Sequence, residues 1–169
     1  MSGFQDEPPA AATDADEQIY AVLIAVIGDT LLVPNRAVAE AVPRDGLQPV
    51  DGPAWLLGIV NWGGRRVPVI RFETLNGGGP QTMPGRRDRI LVMQAAGDRL
   101  SSGLFGIVAE GYPHLVSLNR AAIVAAPLRP NDRASLIAAR ARIANQEVLI
   151  PDFDAVELEL AQALESLSL

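Results

Sequence analysis

The chain has 169 residues, 49% of them hydrophobic, a length that suits one domain with a sizeable buried core. It contains no cysteine, which excludes disulfides, thiol catalysis and cysteine-ligated metal sites. No apolar run reaches the length of a membrane span and no secretory signal is recognisable, so we expect a cytoplasmic protein without membrane insertion.

The charges fall into three blocks. Residues 1–17 carry five acids and residues 147–169 carry six, and neither block contains a base. All 14 arginines lie between them, no lysine is present, and the net charge is −6. Nucleic-acid modules need clustered bases interleaved with aromatics, whereas here the arginines are scattered and aromatics make up 5% of the chain. A small β-barrel nucleic-acid module is therefore a disfavoured alternative.

The first segment along the chain, residues 1–17, is polar, acidic and rich in alanine and proline, which predicts a disordered tail. Residues 18–169 are then a single folded domain. Within it, the apolar runs 20–27 and 30–33 bracket Gly28-Asp29 and predict a hairpin.

The next elements lead to the centre of the chain. Residues 34–38 predict a short helical turn that precedes a kinked strand at Glu40. Residues 53–57 predict a short helix, because its proline suits a first-turn position.

Residues 58–70 predict a second hairpin, in which Gly63 and Gly64 supply the positive φ angles of a two-residue turn. Pro68 cannot donate a ladder hydrogen bond, so it predicts an edge strand or a bulge. The turn sets four cross-strand pairs: Trp62 with Arg65, Asn61 with Arg66, Val60 with Val67, and Ile59 with Pro68.

The second half repeats this organisation. A flexible loop at 76–87 precedes strands at 88–96 and 104–111, and a further hairpin is predicted from 135–143 and 147–153. Gly28-Asp29 and Gly97-Asp98 each follow an apolar strand at an offset of 69, which indicates a weak internal repeat of a five-strand unit. A C-terminal helix begins near Asp154, which is predicted to cap it in a capping box with Glu157 three residues on. The helix presents one apolar face: Val156, Leu160, Ala163, Leu164 and Leu167.

The run from Pro53 to Leu75 resembles the signature stretch of CheW-like domains, the adaptors of bacterial chemosensory arrays. Upstream, Val38-Ala39-Glu40 is similar to the family's Val-x-Glu, and downstream residues 105–118 resemble its second-half strand and turn. The resemblance spans roughly residues 18–160. The positions that match the signature are Gly58, Asn61, Gly64, Val67, Pro68, Val69 and Ile70.

This resemblance implies a mainly β fold of two intertwined, five-stranded, SH3-like barrels that share a hydrophobic core. It also implies a non-enzymatic adaptor that links the cytoplasmic tip of a chemoreceptor to the regulatory domain of a CheA-type histidine kinase. Val38 and Glu40 are carried over as partner-binding candidates, and we expect neither a cofactor nor a metal.

Each candidate also has a structural interpretation. Val38 could pack within its strand, and Glu40 could be a solvated charge. Trp62 lies at a hairpin tip, where an interface role and ordinary packing are about equally supported. Asn61 and Gly64, like Pro68, are more consistent with fixing the hairpin than with touching a partner.

Two departures from the family pattern affect the functional prediction. The turn arginine that the family associates with receptor coupling is Gly63 here, although Arg65 could supply a similar charge from the other strand. The family's strand-end aspartate is Arg71, a reversal of charge. We therefore expect a divergent member, of the kind that serves type IV pili and twitching motility, or a regulatory decoy that binds kinase but not receptor.

Catalytic chemistry finds little support. His114 is the only histidine and has no neighbouring nucleophile, so a solvated loop position is favoured over a general base. Helix capping by Asp154 and a solvent-facing Asp152 explain this pair of carboxylates without catalysis. The glycine run 77–79 lacks the Gly-Lys-Ser/Thr ending of a phosphate loop. The sequence predicts a protein that is not an enzyme.

Overall fold

The computed structural model describes residues 18–77 and 84–169. The predicted tail, residues 1–17, and residues 78–83 of the predicted loop lie outside this description. The described chain forms two helices, α1 (Phe72–Gly77) and α2 (Phe153–Ser166). Its strands are β1 (Gln18–Val26), β2 (Asp29–Pro34), β3 (Val38–Pro43), β4 (Gln48–Pro49), β5 (Leu56–Trp62), β6 (Arg65–Ile70), β7 (Arg89–Gln94), β8 (Leu104–Ala109), β9 (His114–Asn119), β10 (Ile123–Ala126), β11 (Ile137–Ile143) and β12 (Gln146–Pro151).

The strands form two six-stranded sheets. Sheet A has the order β10-β11-β12-β2-β1-β9, and sheet B has the order β3-β7-β8-β6-β5-β4. The pairs are antiparallel except for β12 with β2 and β6 with β8, which are parallel. The mainly β fold with two small barrel subdomains is thereby confirmed.

The two sheets are copies of one topology. Each strand of the first half has an equivalent six places later, so β1 corresponds to β7, β2 to β8, and so on to β6 and β12. When every strand is exchanged for its equivalent, the order of sheet B becomes that of sheet A read in reverse. Each sheet takes its first hairpin from one half of the chain and its other four strands from the other half, which is why the barrels are intertwined. The hairpins β1–β2 and β7–β8 are equivalent, and the predicted offset of 69 relates residues 27 and 96 just after their first strands.

The repeat unit contains six strands, whereas five were predicted. The additional strands, β4 and β10, have two and four residues. Both lie at sheet edges and pair on one side only. Strands this short carry too few alternating positions to leave a recognisable pattern in the sequence.

A shared core lies between the sheets. In β7, Leu91 and Met93 face this core, while Ile90 and Val92 face the interior of sheet B. Because successive side chains of a strand point to opposite faces, burial on both faces explains the continuous apolar run. Helix α2 adds Val156 and Leu160 to the shared core.

The predicted helix at 53–57 is absent. The Leu56 N–H donates to the Pro53 carbonyl at 3.0 Å, which closes a single turn, and β5 begins at once. The strand prevails because Leu56 pairs with Ile70 and the Trp55 carbonyl accepts the Arg71 N–H at 2.9 Å. A favourable first turn cannot continue where the backbone groups of the next residues are committed to a sheet.

The cap of α2 is also two residues earlier than predicted. The Asp152 carboxylate accepts the Ala155 N–H at 3.2 Å, so Asp152 rather than Asp154 is the N-cap. The apolar face of α2 lies against the shared core as predicted. Neither helix in the described ranges is long and apolar enough to cross a membrane.

Candidate partner-binding groove

The β5–β6 hairpin has the predicted register at all four cross-strand pairs. Gly63 and Gly64 have φ angles of 55° and 79°, in the left-handed region where glycine carries no steric penalty. Pro68 lies opposite Ile59 in an interior strand, so the edge-strand alternative is wrong. The pairing of β6 with β8 begins only at Val69, and hence Pro68 removes no bond from that ladder. A bulge does occur nearby, between Leu56 and Gly58 of the partner strand β5.

A hydrogen bond joins the hairpin tip to β3. The Trp62 Nε1–H donates to Glu40 Oε2 at 2.5 Å. Strands β3 and β5 are separated by three strands in the order of sheet B, so this bond connects strands that do not pair. It therefore links the two sides of the curved sheet at this end.

A surface groove of about 470 Å³ lies beside this bond. The groove is lined by three of the predicted partner-binding residues: Trp62, Gly63 and Arg65. Glu40 does not line it but is hydrogen-bonded to Trp62. Val38 does not line it and instead packs against the shared core, in agreement with a packing role. The remaining lining residues are Ala39, Gln94, Ala95, Gly103 and Leu104.

Arg65 crosses from the hairpin towards the opposite wall of the groove. Its side chain is exposed, and Nη1 lies 3.5 Å from the Ser102 carbonyl oxygen. A second surface depression, bounded by Arg65 and residues 97–103, adjoins the first. Arg65 therefore sits between two neighbouring depressions and is accessible from both.

Helix α2 holds the loop formed by residues 95–103, whose ends Ala95 and Gly103 line the groove. The Glu157 side chain is fully buried, and its two carboxylate oxygens accept the N–H groups of Ala96 and Gly97 at 3.0 and 3.1 Å. At the surface, Arg99 donates to Asp154 at 2.5 Å. Glu157 does not serve in the predicted capping box. Its role depends on a loop 60 residues away, so the local pattern of the helix could not have revealed it.

Arg71, which replaces the family's strand-end aspartate, lies in the interior of the protein. Arg71 is 2% exposed and forms ion pairs with Glu73 at 3.7 Å and Asp88 at 3.6 Å. Burial raises the pKa of Glu73, whose Oε2 also accepts the Ile27 N–H at 2.7 Å. Because acids from the same chain surround Arg71, the reversal does not place a new charge on the groove.

A second buried arginine organises the end of sheet A. The Arg140 guanidinium donates to Asp132 at 2.6 and 2.8 Å and to Asp29 at 2.7 and 3.1 Å. The hydrogen bonds from Arg140 hold the pKa of Asp132 well below its usual range. In the part of the chain that is described, no group of three or more acids and histidines is arranged to hold a metal ion. The acids of this cluster are neutralised by arginine, and the arrangement is structural.

Comparison with known proteins agrees with this architecture. The crystal structure of the scaffolding protein TtCheW from Thermoanaerobacter tengcongensis superimposes with a TM-score of 0.65 at 16% identity, covering 80% of this chain and 85% of that one. A search of curated proteins found no significant match. The family model for the CheW-like domain matches residues 21–159. The chain belongs to the CheW-like domain family, whose members are scaffolds and not enzymes.

Proposed function

We propose that this protein is an adaptor that couples the cytoplasmic tips of chemoreceptors to the regulatory domain of a CheA-type histidine kinase. Family membership supports a coupling role in chemotaxis, and the similar solved protein is itself described as a scaffolding protein. The observation that carries the proposal is the groove beside the signature hairpin. It is formed by residues from separate parts of one rigid β body, so a partner bound there has a defined orientation.

We expect the groove to accept one face of a helix. Its lining includes Trp62 and Gly63 of the hairpin tip, the loop ends Ala95 and Gly103, and apolar Leu104. Helix-in-groove binding uses such a shape to accept side chains spaced by one helical turn. Trp62 and Arg65 are of the residue types that dominate binding energy at interfaces. Since receptor tips are helical hairpins in this family, we assign the groove to the receptor.

The kinase regulatory domain is proposed to dock on a separate surface, at the barrel edges. Among the described residues, β9 and β10 are the edge strands of sheet A, and β3 and β4 are those of sheet B. Such a contact is expected to be of modest area and transient when formed alone. Two separate surfaces allow one chain to hold both partners at once.

The divergent hairpin supports a specialised pathway. The turn has glycine at position 63 in place of the family's arginine, and the Trp62 indole N–H donates a hydrogen bond to the Glu40 carboxylate. We propose a chemosensory system for type IV pili and twitching motility, with recruitment to membrane-associated receptor arrays. The same features favour one alternative, a decoy that binds kinase but not receptor, because Glu40 is already engaged within the chain.

Binding measurements separate these proposals. Purified fragments of a receptor tip and of the kinase regulatory domain, both from the organism that encodes this chain, would be titrated separately into the full-length protein. Saturable binding of both is expected for the adaptor, and binding of the kinase fragment alone identifies the decoy. Failure to bind either fragment refutes the proposal.

Five of the 14 arginines lend no support to the nucleic-acid alternative. Arg71, Arg99, Arg129, Arg133 and Arg140 each form an ion pair with a carboxylate of the same chain. Guanidinium groups that are committed in this way are poorly placed to neutralise phosphates. We therefore do not propose nucleic acid as a partner.

A further inference from the structure

The groove depends on a difference between the two copies of the repeat. In sheet A, β1 ends at Val26 and β2 begins at Asp29, so two residues connect them. In sheet B, nine residues, 95–103, connect β7 to β8. This longer connection supplies Ala95 and Gly103 to the groove. The two-residue turn of sheet A is too short to form an equivalent wall.

Both connections are held in the same way. The Glu73 carboxylate of α1 accepts the N–H of Ile27, and the Glu157 carboxylate of α2 accepts the N–H of Ala96. Ile27 and Ala96 differ by 69 positions, the offset of the repeat. Helix α1 follows β6 of sheet B and sends a glutamate to the β1–β2 hairpin of sheet A, and α2 follows β12 of sheet A and sends one to the β7–β8 hairpin of sheet B. The two glutamates therefore fasten the barrels to each other at matching places.

Glu157 accepts two backbone hydrogen bonds from its loop, whereas Glu73 accepts one from its turn. Both Glu157 oxygens accept backbone N–H groups, whereas Glu73 Oε1 is buried and accepts no hydrogen bond from the residues described. Leu100, in the middle of the connection, is buried in the shared core beside α2 residues. The Ala95 N–H donates to the Gly103 carbonyl at 2.9 Å and closes the base of the loop. The loop is thus fixed at its start, at its middle and across its base.

We propose that Glu157 is a positioning residue for the groove, and that α2 sets the affinity of the receptor site by holding the loop 95–103, whose ends Ala95 and Gly103 line the groove. This role rests on the proposed function. It makes α2 part of the binding unit, although no α2 residue lines the groove. The chain of contacts is short. Glu157 fixes Ala96 and Gly97, the loop they begin presents the Ser102 carbonyl, and Arg65 approaches that carbonyl from the hairpin.

The test compares Glu157→Gln with Glu165→Gln, an exposed position on the same helix. A neutral amide accepts through one oxygen only, so one of the two loop N–H groups loses its partner. In the full-length protein, amide hydrogen exchange of residues 96–103 should be about tenfold faster in Glu157→Gln, with the core strands unchanged. Affinity for the receptor-tip fragment should fall about tenfold, and affinity for the kinase fragment should stay within about twofold. Glu165→Gln should change none of these.

Three outcomes would overturn the inference: unchanged exchange of the loop, faster exchange with unchanged receptor affinity, or an equal loss of affinity for both fragments together with a lower melting temperature. If Glu157→Gln fails to fold, Arg99→Gln replaces it, because it removes only the surface ion pair with Asp154 and should show the same effects in weaker form. If the wild-type protein binds no receptor fragment, the proposed function fails. The exchange measurement then decides alone whether Glu157 positions the loop.

Discussion

The indole N–H of Trp62 donates to Glu40 Oε2 at 2.5 Å, so the tip of the signature hairpin is bonded to a strand with which it does not pair. The family pattern has an arginine at the next position, which is Gly63 here. In this chain, therefore, the conformation of Glu40 is set by an aromatic donor. Glu40 is thereby held against the hairpin.

Trp62→Phe should separate the hydrogen bond from the aromatic surface. We expect the free energy of unfolding to fall by about 1 kcal/mol, since the ring is retained and the released carboxylate is accessible to water. Urea denaturation measures this change. Trp55→Phe provides the comparison, because Trp55 packs against the shared core instead of the groove. An unchanged unfolding free energy in Trp62→Phe would show that the bond contributes nothing in solution.

Gly63→Arg should strengthen receptor binding. Nothing lies within 4 Å of a Cβ atom added at this position, so an arginine side chain begins in open space. The positive φ angle costs about 1 kcal/mol for a non-glycine residue, and Gly63→Gln carries a similar backbone cost without the charge. Isothermal titration with the receptor-tip fragment should show tighter binding for Gly63→Arg than for Gly63→Gln. Equal affinities would remove this turn from the determinants of coupling.

Asp132→Asn should destabilise the protein strongly. Asp132 is 3% exposed and shares Arg140 with Asp29, so its loss leaves a buried guanidinium incompletely paired. Breaking a buried pair in this way costs about 3–5 kcal/mol. The control, Asp51→Asn, changes an exposed acid.

The ion pair between Asp132 and Arg140 also predicts how the stability of the protein depends on pH. The pKa of Asp132 is lowered from 3.8 in the folded state, so its stabilising contribution is present above that value and is lost as the pH falls towards the folded pKa. Wild-type stability should therefore decline more steeply on acidification below about pH 4 than that of Asp132→Asn. Parallel curves for the two proteins would contradict the assignment.

Glu73→Gln should show the opposite pH behaviour. Burial raises the pKa of Glu73 above 4.5 in the folded state, so its favourable contribution is complete below the unfolded pKa and is lost as the pH rises through the folded pKa. Glutamine does not titrate. The unfolding free energy of Glu73→Gln relative to wild type should therefore increase as the pH rises above 4.5, as measured by urea denaturation. A constant difference across this range would argue that the pKa of Glu73 is not raised.

The fold was predictable where local chemistry and tertiary structure agree. The Gly63-Gly64 turn dictates its own register, and the offset between Gly28-Asp29 and Gly97-Asp98 identifies equivalent hairpins. The turn at 53–57 was mistaken for a helix because its proline gives a local signal, whereas the pairing of Leu56 with Ile70 is not local. A property that depends on distant pairing cannot be read from a short window.

The candidate site was predictable only in part, for the same reason. Trp62, Gly63 and Arg65 are adjacent in sequence and reach the groove together. The spacing of Asp154 and Glu157 predicts a capping box. Glu157 instead binds a loop that lies 60 residues earlier, which a local pattern cannot reveal. Likewise, the charge at Arg71 indicated an altered surface, but burial beside Glu73 and Asp88 makes it part of the interior.

The most direct test of the account is whether one molecule of this protein holds both partners at once. Sedimentation velocity of the full-length protein with the receptor-tip fragment and the kinase regulatory domain should reveal a ternary complex, heavier than either binary complex. Glu165→Gln should form it to the same extent as the wild type. If the two fragments displace each other, or if neither sediments with the protein, the chain does not connect a receptor to a kinase.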